Sequence, residues 1–139
     1  MRTFEEFVQH NIVRKKKKDE LLAQNILQGA QHRKNILEKY LPLNEETSVQ
    51  IIEGCYDIIR ELIEATLSKE GYKTYSHEAA VAYFAYLGFG KADVDFLDTL
   101  REVRNGTKYY GKLVMFDYAK RVKEFLERHY SRLLKIASE

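Results

Sequence analysis

Apolar residues in this chain recur at intervals of three and four over long stretches, the spacing that lines one side of a helix. The first stretch opens with Thr3-Phe4-Glu5-Glu6. This is a capping box: the Thr oxygen takes a free N–H of the first turn, and Glu6 reaches back to the Thr amide. From Phe4 the helix either runs through the lysines to Leu41 or breaks near Arg14–Lys18. Beyond the lysines, Leu22, Ile26, Gly29, Arg33, Ile36, Leu37 and Tyr40 form a stripe, and Gly29 within it would let another helix approach closely. Pro42 ends the element. Asn44, followed by Glu45 and Glu46, starts a second helix whose acidic first turn suits the positive end of the helix dipole. Its stripe is Ile52, Cys55, Tyr56, Ile59, Leu62, Ile63 and Thr66, and Gly71 stops it. The stretch Gly71–Ser76 is the one clear loop. Ser76 then caps a short helix with Ala80, Tyr83, Phe84 and Leu87, ended by Gly88-Phe89-Gly90. A fourth helix carries Val94, Leu97, Leu100, Arg101 and Arg104. A last helix, about Lys112–Ile136, carries Met115, Tyr118, Val122, Phe125, Leu126, Tyr130 and Leu133.

Long amphipathic helices joined by short turns bury their stripes against one another. The expected fold is therefore all-α, an antiparallel up-and-down bundle of about five helices. At 139 residues the chain is one domain, spanning 1–139. One Pro and seven Gly leave little turn chemistry for hairpins. The single Asn-Gly pair, Asn105–Gly106, falls inside a helical pattern.

Charge adds an asymmetry that the net value of +2 hides. Met1–Leu41 carries nine basic and five acidic residues, Pro42–Gly111 seven and twelve, and Lys112–Glu139 seven and four. Two basic ends around an acidic middle suit an anionic partner if the ends meet in space; otherwise they describe a solvated mixed surface. The lone Cys55 excludes an intrachain disulfide and reads as core packing. No apolar run approaches the ~18 residues of a membrane span, and no signal-peptide core is read in Met1–Val13. A cytoplasmic protein with no membrane association is expected. No Gly-rich phosphate loop, nucleophilic triad order or metal-ligand spacing occurs, so neither a metal nor a cofactor is expected.

The candidate chemistry lies in Asp93–Gly111. Leu100-Arg101-Glu102-Val103-Arg104-Asn105 leads into Lys108-Tyr109-Tyr110-Gly111 where the helix should end. This stretch resembles the signature of the HEPN family, a basic motif of Arg, often followed by Asn, with His four to six residues on. The loop Gly71–His77 is similar to a family loop whose His opens the next helix, and the Ile58–Glu64 run is similar to the family's second helix. The resemblance covers roughly Asp19 to the last helix. It implies a helical bundle, a homodimer, and a cleft at the dimer interface lined by the motif residues. Many relatives of this kind are metal-independent ribonucleases or RNA-binding toxins. Others have lost catalysis and act as partners of a small nucleotidyltransferase.

Arg104 and Asn105 carry over from that motif directly. A guanidinium suits the place because its fork of donors binds phosphate oxygens and stabilises developing negative charge. Tyr109 stands where the shortest motif has His. A phenol with an ordinary pKa near ~10 is a poor base at neutral pH, although it can donate a hydrogen bond or stack on a base. Alternatively, Arg104 is a structural residue paired with Asp98, Glu102 or a partner helix, Asn105 ends the helix, and Tyr109 and Tyr110 pack at an interface. His77 reads either as a first-turn residue or as the best spatial candidate for the missing imidazole. Lys15, Lys16, Lys17 and Lys18 read as an exposed face, a hinge or a non-specific phosphate contact, without interleaved aromatics for stacking.

Two functional expectations follow. In the first, a HEPN-like dimer binds RNA or a nucleotide around Arg104, Asn105, Lys108, Tyr109 and Tyr110, helped by His77 and Lys15–Lys18. Arg104 and Tyr109 then support at most a weak metal-independent ribonuclease. In the second, the chain is a non-catalytic interaction module that partners a nucleotidyltransferase in a toxin–antitoxin-like pair.

Overall fold

The computed structural model describes residues 1–106 and 111–139, with Lys112 described in its backbone only. In chain order the elements are α1 (Phe4–Gln9), β1 (Val13–Lys15), α2 (Glu20–Tyr40), α3 (Ser48–Glu70), β2 (Tyr72–Thr74), α4 (His77–Tyr86), α5 (Lys91–Arg104) and α6 (Lys112–Ser138). The protein is mostly helical. Among the described residues there are six helices and one two-stranded antiparallel ribbon, where about five helices and no strand were expected.

The centre of the molecule is α3. Ile51, Ile52, Cys55, Ile58, Ile59, Leu62 and Ile63 are at most 1% exposed, and with Tyr56 and Leu67 they cover about half of the helix circumference. Burying each aliphatic side chain of this size is worth about 1.5–3 kcal/mol. Such a helix needs cover on several sides, and α2, α6, α4, α5 and β2 all pack against it. Burial also raises the Cys55 thiol to about 12, so this cysteine is a core residue that stays protonated.

The caps follow the expected chemistry at several ends. Thr3 and Glu6 form the capping box, and Ser76 Oγ accepts from the Ala79 amide. Gly71 ends α3 at φ +88, in the left-handed region. The second helix begins at Ser48 rather than Asn44. Asn44 instead organises the preceding turn, its Oδ1 accepting from the amides of Glu46 and Thr47.

Two packing expectations are corrected. The α2 stripe is rotated by one position: its buried residues are Ala23, Ala30 and Leu37, while Leu22, Ile36 and Tyr40 are exposed. The small alanines let α2 lie close on the bulky face of α3. The close approach itself is at Gly54 rather than Gly29. A Cβ on Gly54 would stand 2.6 Å from Leu37 Cδ1, whereas one on Gly29 would meet only Glu61 at an ordinary 3.7 Å.

The largest departure is the ribbon. The chain breaks after α1, and Val13, Arg14 and Lys15 pair with Thr74, Lys73 and Tyr72. The stretch expected as a loop after Gly71 is therefore half strand. The pairing is anchored beyond its ends, because the Lys16 amide donates to the Gly71 carbonyl at 2.8 Å and Thr74 Oγ1 donates to the Ile12 carbonyl at 2.9 Å. A side chain at Gly71 would strike the Lys16 carbonyl at 2.8 Å, so glycine is needed there for space as well as for φ.

Leu62 on α3 and Phe125 on α6 are both 0% exposed. Leu62→Ala and Phe125→Ala are each expected to cost about 2–5 kcal/mol of folding stability, read from denaturant midpoints. An unchanged midpoint for either would mean that its face is not in the core.

Candidate functional site

The last turn of α5 carries Arg101 and Arg104, cations at the negative end of the helix dipole. Val94, Leu97, Leu100 and Val103 bury the other side of that helix and so fix which way the arginines emerge. Arg104 reaches α3. Its Nη1 donates to Glu53 Oε2 at 3.0 Å, and Nε and Nη2 donate to Asp57 Oδ1 and Oδ2 at 3.3 and 3.4 Å. The two-point grip on Asp57 is the paired geometry that a planar guanidinium favours. Of the partners expected for Arg104, the third, another helix, is the one found; Asp98 pairs with Arg101 at 3.0 Å instead.

Further along the same face of α3, Arg60 Nη1 donates to Glu64 Oε1 at 2.6 Å. Its Nη2 lies 3.9 Å from Asp57 Oδ1, so Asp57 sits between two guanidiniums. Arg60 Nε is buried without a hydrogen-bond partner among the described residues. These groups are partly exposed, so each pair adds about 0–1 kcal/mol to stability. The network orients side chains more than it holds the fold.

His77 joins this face from the start of α4, placed by the Ser76 cap just before it. Its ring centroid is 6.2 Å from that of Tyr56. Partial burial lowers its pKa below the usual histidine range, and the positive charge of Arg60 lowers it further, with a smaller contribution from Arg104. His77 is therefore neutral at neutral pH and able to accept a proton. Burial pushes the Tyr56 hydroxyl the other way, up to about 12, which keeps it a donor.

The fold thus gathers Arg104, His77, Arg60, Tyr56 and the carboxylates of Glu53, Asp57 and Glu64. Asn105 ends α5, its amide donating to the Arg101 carbonyl, and Gly106 follows at φ +85. Lys108, Tyr109 and Tyr110 lie outside the described residues. Lys15–Lys18 fall elsewhere, on the ribbon and its exit, where Lys16 Nζ donates to Ser68 Oγ at 3.2 Å. Ser68 is eleven residues along α3 from Asp57, roughly 17 Å at 1.5 Å per residue.

Glu53, Asp57, Arg60 and Glu64 were not among the site residues read from the sequence. Their signal was present: charged positions at spacings of four, three and four, beside the apolar stripe of the same helix. That spacing places one charged row beside the core stripe. Among the described residues, no group of three His, Cys, Asp or Glu side chains could hold a metal ion. No helix among them is long and apolar enough to cross a membrane. No family model, no curated protein and no solved structure matches this chain.

The His77 environment has a direct readout. Its imidazole is expected to titrate below pH 6.5 in the folded protein, and Arg60→Gln is expected to raise that midpoint by removing the cation that lowers it most. Histidine NMR titrations measure both. An unshifted wild-type midpoint, or a further fall in the variant, would contradict the geometry described for this face.

Proposed function

We propose that this chain is a HEPN-like dimeric protein that binds RNA or a nucleotide around Arg104 and Asn105, with any ribonuclease activity impaired. The observation that carries the reading is that Arg104 and Arg60, from two helices, flank the same Asp57 carboxylate, with His77 on a third helix near enough for both charges to act on its ring. A phosphodiester there would meet guanidinium donors suited to its oxygens, beside a neutral imidazole able to take a proton. The RNA-cleaving step of this class needs two things: activation of a ribose 2′-hydroxyl and stabilisation of a phosphorane-like transition state. Arg104 suits the second task. Tyr109, standing where the resemblance calls for His, does not suit the first at neutral pH.

One observation favours the rival reading, a non-catalytic module partnering a nucleotidyltransferase. Three donors of Arg104 are already bonded to Glu53 and Asp57, and those carboxylates oppose the approach of another anion. The two readings separate in a cleavage assay on single-stranded RNA without added metal. Weak cleavage is expected from the wild type and none from Arg104→Ala. Tyr109→His is expected to raise the rate by ~10²–10⁴-fold, the usual worth of a positioned acid–base group. Efficient wild-type cleavage that Tyr109→His does not improve would defeat this account of the site. No cleavage by any of the three would leave the module reading in possession.

The dimer is proposed to form through α5, the start of α6 and the segment holding Tyr109 and Tyr110. Leu113 and Val114 support this, because they stand 68% and 52% exposed at the start of α6. Light scattering at micromolar concentration is expected to give twice the chain mass, and Leu113→Asp with Val114→Asp is expected to halve it. A wild-type monomer would end the dimer proposal.

A further inference from the structure

The ribbon places two cations opposite each other. Arg14 and Lys73 are register partners, and partners in an antiparallel ladder project to the same face. Val13 is buried and Thr74 half-buried on the inner side, so Arg14 and Lys73 point outward, and both are exposed. Like charges directly opposite destabilise a ladder. Among the described residues, none of Arg14, Lys15, Lys16, Lys17, Lys18 and Lys73 is in an ion pair with a carboxylate. The neighbouring lysines are held in place by the backbone: the Lys16 amide bonds Gly71, and the Asp19 amide bonds the Ser68 carbonyl at 3.0 Å. A row of cations is thus held on and beside the ribbon, none of them ion-paired among the described residues, although Asp19 and Glu64 line the adjoining cleft.

An aromatic ring stands beside that row. Tyr75 is 86% exposed, and Lys73 Nζ lies 5.2 Å from its ring centroid. Next to it is a cleft of about 420 Å³ whose lining includes Lys16, Tyr72, Lys73 and Tyr75 together with the carboxylates of Asp19 and Glu64. The sequence separates the lysine run from any aromatic, but the fold brings Tyr72 and Tyr75 across from it.

We propose that this basic ribbon, with Tyr75 as its stacking platform, is a binding surface for single-stranded nucleic acid. Cations tracking a backbone, combined with an open ring that accepts a base, are the two components that bind unpaired strands without reading their sequence. A duplex offers the phosphates but keeps its bases stacked inside, so it engages only the cations. The surface lies toward the other end of α3 from Arg104 and adjoins that cluster's charged row at Glu64, which lines the cleft. It rests on the nucleic-acid reading of the protein.

Fluorescence anisotropy with the full chain and a short labelled RNA tests this, against the same sequence as duplex RNA and as single-stranded DNA. Tyr75→Ala is expected to weaken single-strand binding by roughly 5- to 150-fold, the worth of one base–aromatic stack. Tyr75→Phe should restore it, and the duplex should be indifferent to both. The exposure of Tyr75 means that neither change disturbs the core. Arg14→Ser and Lys73→Ser should weaken all three probes and flatten the log–log salt dependence by about 0.7 per lost contact on single strands. Equal binding of single-stranded DNA supports the proposal, since neither contact uses the 2′-hydroxyl. If single-stranded RNA binds but Tyr75→Ala leaves it unchanged, or the duplex binds as tightly, the ribbon proposal fails while the Arg104 reading stands. If wild type binds no RNA at low salt, both fail.

Discussion

A helix with isoleucine, leucine, tyrosine or cysteine over half of its circumference cannot rest against water, and α3 is such a helix. Covering it is what arranges the remaining chain. Leu37 of α2 presses against it at Gly54, α6 takes another flank, and α4 and α5 close the rest. The strip left uncovered carries Glu53, Asp57, Arg60 and Glu64. That strip is where α5 delivers Arg104 and α4 delivers His77. The site is built on the exposed edge of the most buried element, so its geometry inherits the rigidity of the core.

Electrostatics on that edge are balanced rather than simply basic. Arg60 and Arg104 are interleaved with Glu53, Asp57 and Glu64, and partial burial keeps His77 neutral beside them. Such a row holds its side chains in defined positions at little gain in stability. The ribbon is more basic in character, with cations held by backbone bonds and no ion pair to a carboxylate among the described residues. Two ends of one helix therefore present two different electrostatic surfaces.

The helical content was legible in the spacing of apolar residues, because 3.6-residue periodicity leaves a clear trace over twenty positions. The α3 and α6 stripes lie where the pattern put them, and Thr3, Gly71 and Ser76 punctuate as their side chains and φ preferences dictate. The α2 face was harder to read. Alanines carry little hydrophobic signal, so the larger Leu22, Ile36 and Tyr40 drew attention to a row that the fold leaves in solvent. The ribbon left almost no trace, since three-residue strands sixty positions apart show no periodicity and polylysine reads as a solvated face. Arg104 and His77 could be picked out by chemistry, but their meeting place could not, because it depends on which side of α3 faces outward.

Cys55 sits at the middle of that helix with no exposed surface, and burial holds its thiol protonated. The thiolate is the reactive form, so an alkylating reagent must wait for the molecule to open. Because the chain has a single cysteine, the rate of its modification counts openings of the core and nothing else. The protein therefore carries its own clock for the breathing of α3, readable through its native cysteine.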